Sequence, residues 1–326
     1  MCAPGESLMV QHLLGAITAF LLALIPGAGF AQGPDSGPLI EQGDALRISN
    51  HVYVILDDNR RFVPNVGIVI GNTATLVIDT GLGLKNGEIV LEEARKLSDN
   101  KKFYVASTHI HAEHDLGAGA FPDDATMIRS SAQQREKAFG LSHAGRLSQR
   151  SETLANLLEG ASFRPADVLF DNHYSLDLGG ATVTITAVGP AHTVGDTTFF
   201  IEEDRVLFTG DVAMRRYPRF ASPTSGLEVW LAALEAIQSF DVDVLVPSHG
   251  PLGDASTIGQ YKLYFTTIQT RVNELLSQGK SADEIVEKIG AELGPALSDW
   301  KEDGARFINI AVRKAIEEEM RTVPHD

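Results

Sequence analysis

Cysteine is almost missing: Cys2 is the single one in 326 residues. No apolar lipidation motif precedes it, and it sits in a segment expected to be removed. The rest of the chain therefore has no disulfide and no thiolate metal ligand, so any metal must be held by nitrogen and oxygen. Basic side chains are also scarce. With 27 Lys and Arg against 43 Asp and Glu, the net charge is −16. That balance excludes nucleic acid and anionic membrane surfaces as partners, because both require a basic footprint. Long apolar runs are limited to Leu13–Phe30, which Pro26 interrupts and Gly29-Phe30-Ala31-Gln32 closes. Small residues at the two positions read by a signal peptidase predict an export signal over residues 1–31, although no Lys or Arg precedes the run. The expected location is periplasmic or secreted, with no stable membrane anchor after cleavage. Internal repeats and low-complexity tracts are absent as well.

What remains alternates between strand and helix patterns. Residues 32–44 read as a flexible, Gly- and Pro-rich lead-in. Strands are expected at 47–56, 66–70 and 73–78, the last ending in Ile78-Asp79-Thr80-Gly81. An amphipathic helix over Asn86–Leu97 and a buried strand at 103–107 follow. Leu116–Phe121 reads as a short helix with Asp115 as its N-cap. Residues 125–129 form a strand, and 130–160 read as surface helices that carry His143 as a surface or pocket-lip residue. The second half repeats the logic, with strands at 167–170, 173–177, 181–187, 197–201, 205–209 and 243–247. Helices are expected over Leu227–Phe240, 256–278, Ala282–Ile289 and Arg306–Met320. Two β-rich halves, each followed by helices, predict two sheets face to face with helices outside.

The chemistry concentrates in Ser107-Thr108-His109-Ile110-His111-Ala112-Glu113-His114-Asp115. It leaves the apolar strand Phe103–Ala106. His109 and His111 are two apart, so an extended backbone points both imidazoles to one side. Three imidazoles and a carboxylate within six residues suit a zinc-type ion. The plainer alternative is a solvated His-rich loop. Three further strand ends carry ligand-type residues: His192 in the turn 189–196, Asp211 after Val206–Gly210, and His249 after Val244–Ser248.

In that order these motifs resemble the metallo-β-lactamase superfamily, over roughly residues 45–255. The resemblance implies an α/β (α+β) four-layer αββα sandwich, with metals at one edge between the sheets. Residues 45–326 would form one domain, with a helical extension from about 256. The resemblance further implies that His109, His111 and His192 hold one metal. His114, His249 and Glu113 would hold a second, with Asp211 bridging. Glu113 stands where the family usually has Asp, and Asp211 where the lactamases proper usually have Cys or Ser. The implied activity is hydrolysis of a lactam, lactone or related ester in a small molecule by a metal-bound hydroxide. One or two Zn2+ would be bound, with Glu113 and Asp211 in the catalytic group. An iron-dependent oxidoreductase on the same fold and a non-catalytic accessory protein are the alternatives, with iron in place of zinc for the first. Arg215, Arg216 and Arg219, close after Asp211, are candidates for gripping a substrate carboxylate or phosphate. Trp230 reads as core. The oligomeric state is open.

Overall fold

The computed structural model describes residue 37 and residues 39–297, 300 and 304–322. The export signal expected over 1–31 lies outside the described residues. The end of the lead-in is not loose: Leu39 and Ile40 are buried, and the Ile40 amide donates to Asn86 Oδ1 at 2.7 Å.

The first sheet contains β1 (Ala45–Arg47), β2 (Val52–Ile55), β3 (Val66–Ile70), β4 (Thr75–Ile78), β5 (Phe103–Ala106), β6 (Thr126–Ser130) and β7 (Val168–Phe170) in sequential order. The second contains β8 (His173–Asp177), β9 (Thr182–Ala187), β10 (Thr197–Ile201), β11 (Val206–Gly210) and β12 (Val244–Pro247). The expected strand 47–56 is two strands, because Ser49–His51 turns between β1 and β2.

The side-chain period of two decides the layers. In β4, Leu76 and Ile78 point between the sheets, where they join Val183, Ile185, Phe199, Ile201 and Phe208. Val77 points outward, with Ile68, Val105 and Met127, onto Val90, Leu91 and Ala94 of α1 (Gly83–Leu97). On the second sheet, Phe200, Leu207 and Leu245 point away from the first sheet. They pack with residues of α6 (Leu227–Gln238), α7 (Ser256–Ser277), α8 (Ala282–Leu293) and α9 (Gly304–Thr322). The result is an αββα sandwich. Between β5 and β8 run α2 (Ala112–Asp115), a 3-10 turn (Leu116–Ala120), and the short helices α3 (Ser131–Arg135), α4 (Lys137–Ser148) and α5 (Glu152–Leu158). Among the described residues no helix is long and apolar enough to cross a membrane.

Two features of this architecture place the site. β4 and β5 are parallel neighbours, as are β11 and β12, so each pair releases its next loop at the same end. The two sheets then meet there: Thr197 N donates to Thr108 O at 2.8 Å, and Asn65 N to Ser248 O at 2.6 Å. Gly210 allows the approach. Its φ is +61°, and a Cβ would stand 2.9 Å from the Cβ of Thr108, a contact that L side chains cannot make.

Candidate metal centre

The loop after β5 brings His109 and His111 into the gap between the sheets. α2 then turns back, with His111 as its N-terminal flank, and carries Glu113 and His114 inward. His192 comes from the turn before β10, Asp211 from the end of β11, and His249 from the end of β12. All seven residues are buried or nearly so.

Their donor atoms fall into overlapping groups whose members lie within 4.8 Å of one another: His109, His111 and His192; His109, His114 and Asp211; and Glu113, His114 and His249. His111 Nδ1 is 3.1 Å from His109 Nε2 and 3.2 Å from His192 Nε2. Asp211 lies between the groups, with Oδ2 3.4 Å from His192 Nε2 and Oδ1 3.9 Å from His249 Nε2. The carboxylate therefore stands in a bridging position.

Outer partners fix which nitrogen faces the centre. His192 Nδ1 lies 2.6 Å from Arg219 O, and His249 Nδ1 lies 3.0 Å from Val63 O. A carbonyl only accepts, so both rings carry their proton on Nδ1 and present a bare Nε2 inward. His114 Nδ1 lies 2.9 Å from Asp79 Oδ2, and His109 Nδ1 3.1 Å from Thr108 Oγ1. A partner on the outer nitrogen is how a metal-binding imidazole is oriented and kept basic.

Asp79 is the hub of this outer layer. Besides His114, it accepts from Thr108 N at 2.7 Å, Thr108 Oγ1 at 3.0 Å and Ser248 Oγ at 3.3 Å. It sits just past β4 with φ at +61°. A second brace holds the His192 turn. Glu136 accepts from Val194 N and Gly195 N at 2.9 and 2.6 Å, while Asp196 accepts from Ala191 N, Thr193 N and Thr193 Oγ1. A third holds the His249 turn: Asp57 accepts from Gly250 N, and Asn65 Nδ2 donates to Pro247 O and Gly250 O.

Electrostatics separate the ligands. Burial, reinforced by the other imidazoles, pushes His109 and His111 well below the ordinary histidine value, so both are neutral near pH 7. Burial also opposes charge on His114, but the carboxylate of Asp79 overrides it and raises that imidazole to about 9 in the metal-free protein. Burial works against the Asp211 carboxylate too, yet the imidazoles of His192, His249, His114 and His111 hold it well below the usual carboxylate range.

These residues fit a metal. Glu113 Oε2, His114 Nε2 and Asp211 Oδ1 are buried and have no hydrogen-bond partner. One such atom costs about 1–3 kcal/mol, more when charged. His114 shares one donor group with Asp211 and another with Glu113, so cations held in these adjoining groups explain the three atoms. An all-nitrogen-and-oxygen set suits a zinc-type ion, with iron also compatible.

Glu113, despite its extra methylene, lies with the His114 and His249 donors. Other sequence expectations change. Asp115 is not a cap: it makes no cap hydrogen bond. α2 runs straight into the 3-10 turn, so no free helix start is left for Asp115. Its fully buried carboxylate instead takes both guanidinium nitrogens of Arg129, Nη2 at 2.7 Å. Of the two readings of His143, surface or pocket lip, the structure has the second: it is half-buried and lines the cleft over the donors. Its ring lies 4.2 Å from that of His111, and its Nδ1 accepts from Ala112 N and lies 3.6 Å from Glu113 Oε2. Isolated in sequence, it gave no spacing signal. Arg216 and Arg219 line the cleft over the donors, a space of about 550 Å³, whereas Arg215 lines a separate cleft beside Asp57–Asn59. Trp230 is core, its Nε1 donating to Val212 O at 2.8 Å.

The family model described as the metallo-beta-lactamase superfamily matches residues 59–249. Linear primary-alkylsulfatase of Pseudomonas sp. (strain ATCC 19151) is 25% identical over 269 residues, 69% of this chain and 49% of that protein. Atrochrysone carboxyl ACP thioesterase of Emericella nidulans is 24% identical over 286 residues, 82% of this chain and 83% of that protein. Among solved structures, the inverting sec-alkylsulfatase Pisa1 of Pseudomonas sp. aligns with a TM-score of 0.64 at 14% identity, covering 85% of this chain and 50% of that one. A metallo-beta-lactamase from Pontibacter korlensis aligns at 0.55 and 19% identity, over 68% of this chain and 98% of that one. These structural likenesses speak to fold. The chain spans about half the length of the two alkylsulfatases. With the matched segment covering more than half of the sequence and the donors converging as described, the chain belongs to the metallo-beta-lactamase superfamily.

Proposed function

We propose that this protein is an exported, zinc-dependent hydrolase that opens a carbonyl-type ester bond, such as a lactone or thioester, in a small molecule. The single observation behind the reading is the convergence of the unpartnered Glu113, His114 and Asp211 atoms on the His109–His111–His192 group. A zinc-type ion held there supplies Lewis-acid polarisation and lowers the pKa of water to near neutrality. The chain contributes the rest. Asp211 is kept ionised by its imidazole neighbours, and Glu113 lies on the cleft side of the donors. Met214, Tyr217 and Phe220 line one wall of the cleft, with Phe139 also part of its lining. The thioesterase relatives support a carbonyl substrate. The C-terminal helices belong, on this reading, to the same domain, since their apolar faces merge with that of the second sheet.

A second reading is cleavage of a sulfate ester, which the alkylsulfatase relative favours. The test is a panel of chromogenic substrates (a cephalosporin, a lactone, a thioester and an aryl sulfate) with zinc-loaded protein, chelated protein and His111→Ala. Turnover of the lactone or thioester that both controls abolish is expected. Turnover confined to the aryl sulfate would replace the carbonyl reading, and no turnover with zinc bound would overturn hydrolysis.

A further inference from the structure

The cleft above the donors is charged against the grain of the molecule. The protein carries 43 acidic and 27 basic residues, yet among the described residues seven arginines and no lysine line this one space. Among the described residues the only carboxylates lining it are Glu113 and Asp211, both in the donor cluster. Arginine alone in such a place matters, because its planar fork matches an oxyanion with two parallel hydrogen bonds whereas lysine acts as a point charge.

Arg60 and Arg216 are committed elsewhere, and the cations set at the mouth are Arg61, Arg146, Arg150 and Arg306. Arg60 is paired with Glu41 and donates to Leu39 O, and Arg216 is 3.2 Å from Asp57 Oδ2. Arg61, Arg146, Arg150 and Arg306 are exposed and have no carboxylate partner among the described residues. Three of these side chains, and Arg219, are instead held against phenylalanine rings. Arg61 and Arg150 lie over Phe62, at 4.8 and 5.5 Å; Arg146 lies over Phe139 at 6.0 Å and Arg219 over Phe307 at 5.3 Å. Cation–π contact anchors the guanidinium groups over the rings without using up their hydrogen-bonding capacity; one nitrogen of Arg146 also donates to Ser142 Oγ at 2.7 Å. Phe62 is held there with φ at +64°, a left-handed backbone state that is strained for a bulky residue.

The depth of the charges is informative. The donors are buried, whereas these arginines are exposed. Phe139 spans the difference, its ring 5.8 Å from that of His111 and beneath Arg146. The positive charge therefore sits one side-chain layer above the reacting position, at the mouth.

We propose that the arginines of the mouth form an anion-binding collar, and that the substrate carries an oxyanion group (carboxylate, sulfonate or phosphate) remote from the bond that is broken. The inference deepens the hydrolase reading and rests on it only for the place of the scissile bond. An anion that was itself the reacting group would sit on the buried donors. An anion at the far end of the substrate sits on the collar.

A binding comparison that needs no turnover tests this. Naphthalene-2-sulfonate and its neutral near-isostere naphthalene-2-sulfonamide are titrated calorimetrically into zinc-loaded and chelated protein. The collar predicts about tenfold tighter binding of the sulfonate, in both forms of the protein. Arg61→Ala combined with Arg150→Ala removes the preference, and Arg95→Ala, on the exposed side of α1, keeps it. Circular dichroism verifies the fold of each form, and Arg146→Ala serves as the second variant if the double one does not fold. No preference for the sulfonate overturns the proposal. So does a preference that chelation abolishes, whatever the variants do, and so does one indifferent to the loss of the arginines. Failure of the hydrolase reading looks different: no ester turnover with zinc bound, while the binding preference stands.

Discussion

Removing the cation behind the ligand helix, by Arg129→Met, gives the sharpest structural prediction. Arg129 is 1% and Asp115 0% exposed, so solvent screening takes nothing from their attraction. The guanidinium meets Asp115 through both terminal nitrogens, and Nη2 also donates to Arg164 O at 3.1 Å. Methionine fills much of the volume but leaves the Asp115 carboxylate buried without a counter-charge. Such a loss costs about 3–5 kcal/mol. For a chain of this size each kcal/mol lowers the midpoint by about 2–4 °C, so Arg129→Met is expected to melt roughly 6–20 °C lower. Asp115→Leu added to it removes the stranded charge, and the double variant is expected to recover most of the loss. Asp115 directly follows His114, so the single variant also weakens metal retention. Thermal melts of chelated protein measure the first effect, and chelator competition the second. A single variant melting within about 2 °C of the native protein, or a double variant no better than the single one, refutes the reasoning.

Three further outcomes are expected. Asp79→Asn leaves His114 without its carboxylate partner and loses metal affinity by about 10–100-fold, measured by competition with a chromophoric chelator; unchanged affinity would remove Asp79 from the outer layer. In metal-free protein His114 titrates near 9, above its ordinary 6.5. Its raised pKa means that the stabilising contact with Asp79 is complete below about pH 6.5 and is lost as pH rises through 9. The chelated native protein should therefore lose more melting temperature between pH 7 and 9.5 than Asp79→Asn does, and equal losses would contradict this. By the same shift, zinc uptake at pH 7.5 releases a proton from His114, so the calorimetric enthalpy must vary with the ionisation enthalpy of the buffer; a buffer-independent enthalpy argues that His114 is already neutral.

Much of this site was legible because ligand chemistry is local. The His109–His114 run, and the single residues His192, Asp211 and His249, announce themselves at the ends of apolar strands, and all of them converge. The strands were legible as short apolar runs, but Leu76-Val77-Ile78 is apolar on both faces, so only the fold shows that Leu76 and Ile78 face one layer and Val77 the other. What escaped depends on contacts between distant segments. Asp79 was visible as a carboxylate at a strand end, but its link to His114 and Ser248 exists only once β4, β5 and β12 are assembled. His143 had no spacing partner, because α4 delivers it to His111 from 32 residues away in sequence. Asp115 was misjudged because a cap and a buried ion pair look alike until Arg129 is seen. The basic mouth was only partly visible: Arg216 and Arg219, which line the cleft, follow Asp211 closely, while the collar residues Arg61, Arg146, Arg150 and Arg306 come from three other segments.

The central claim is that seven side chains form a metal centre. Crystals of zinc-reconstituted protein, measured on both sides of the zinc absorption edge, test it most directly. The account predicts two anomalous peaks, one among His109, His111 and His192 and one among Glu113, His114 and His249, with Asp211 in contact with both. An absent peak, or zinc bound only elsewhere on the molecule, would contradict it.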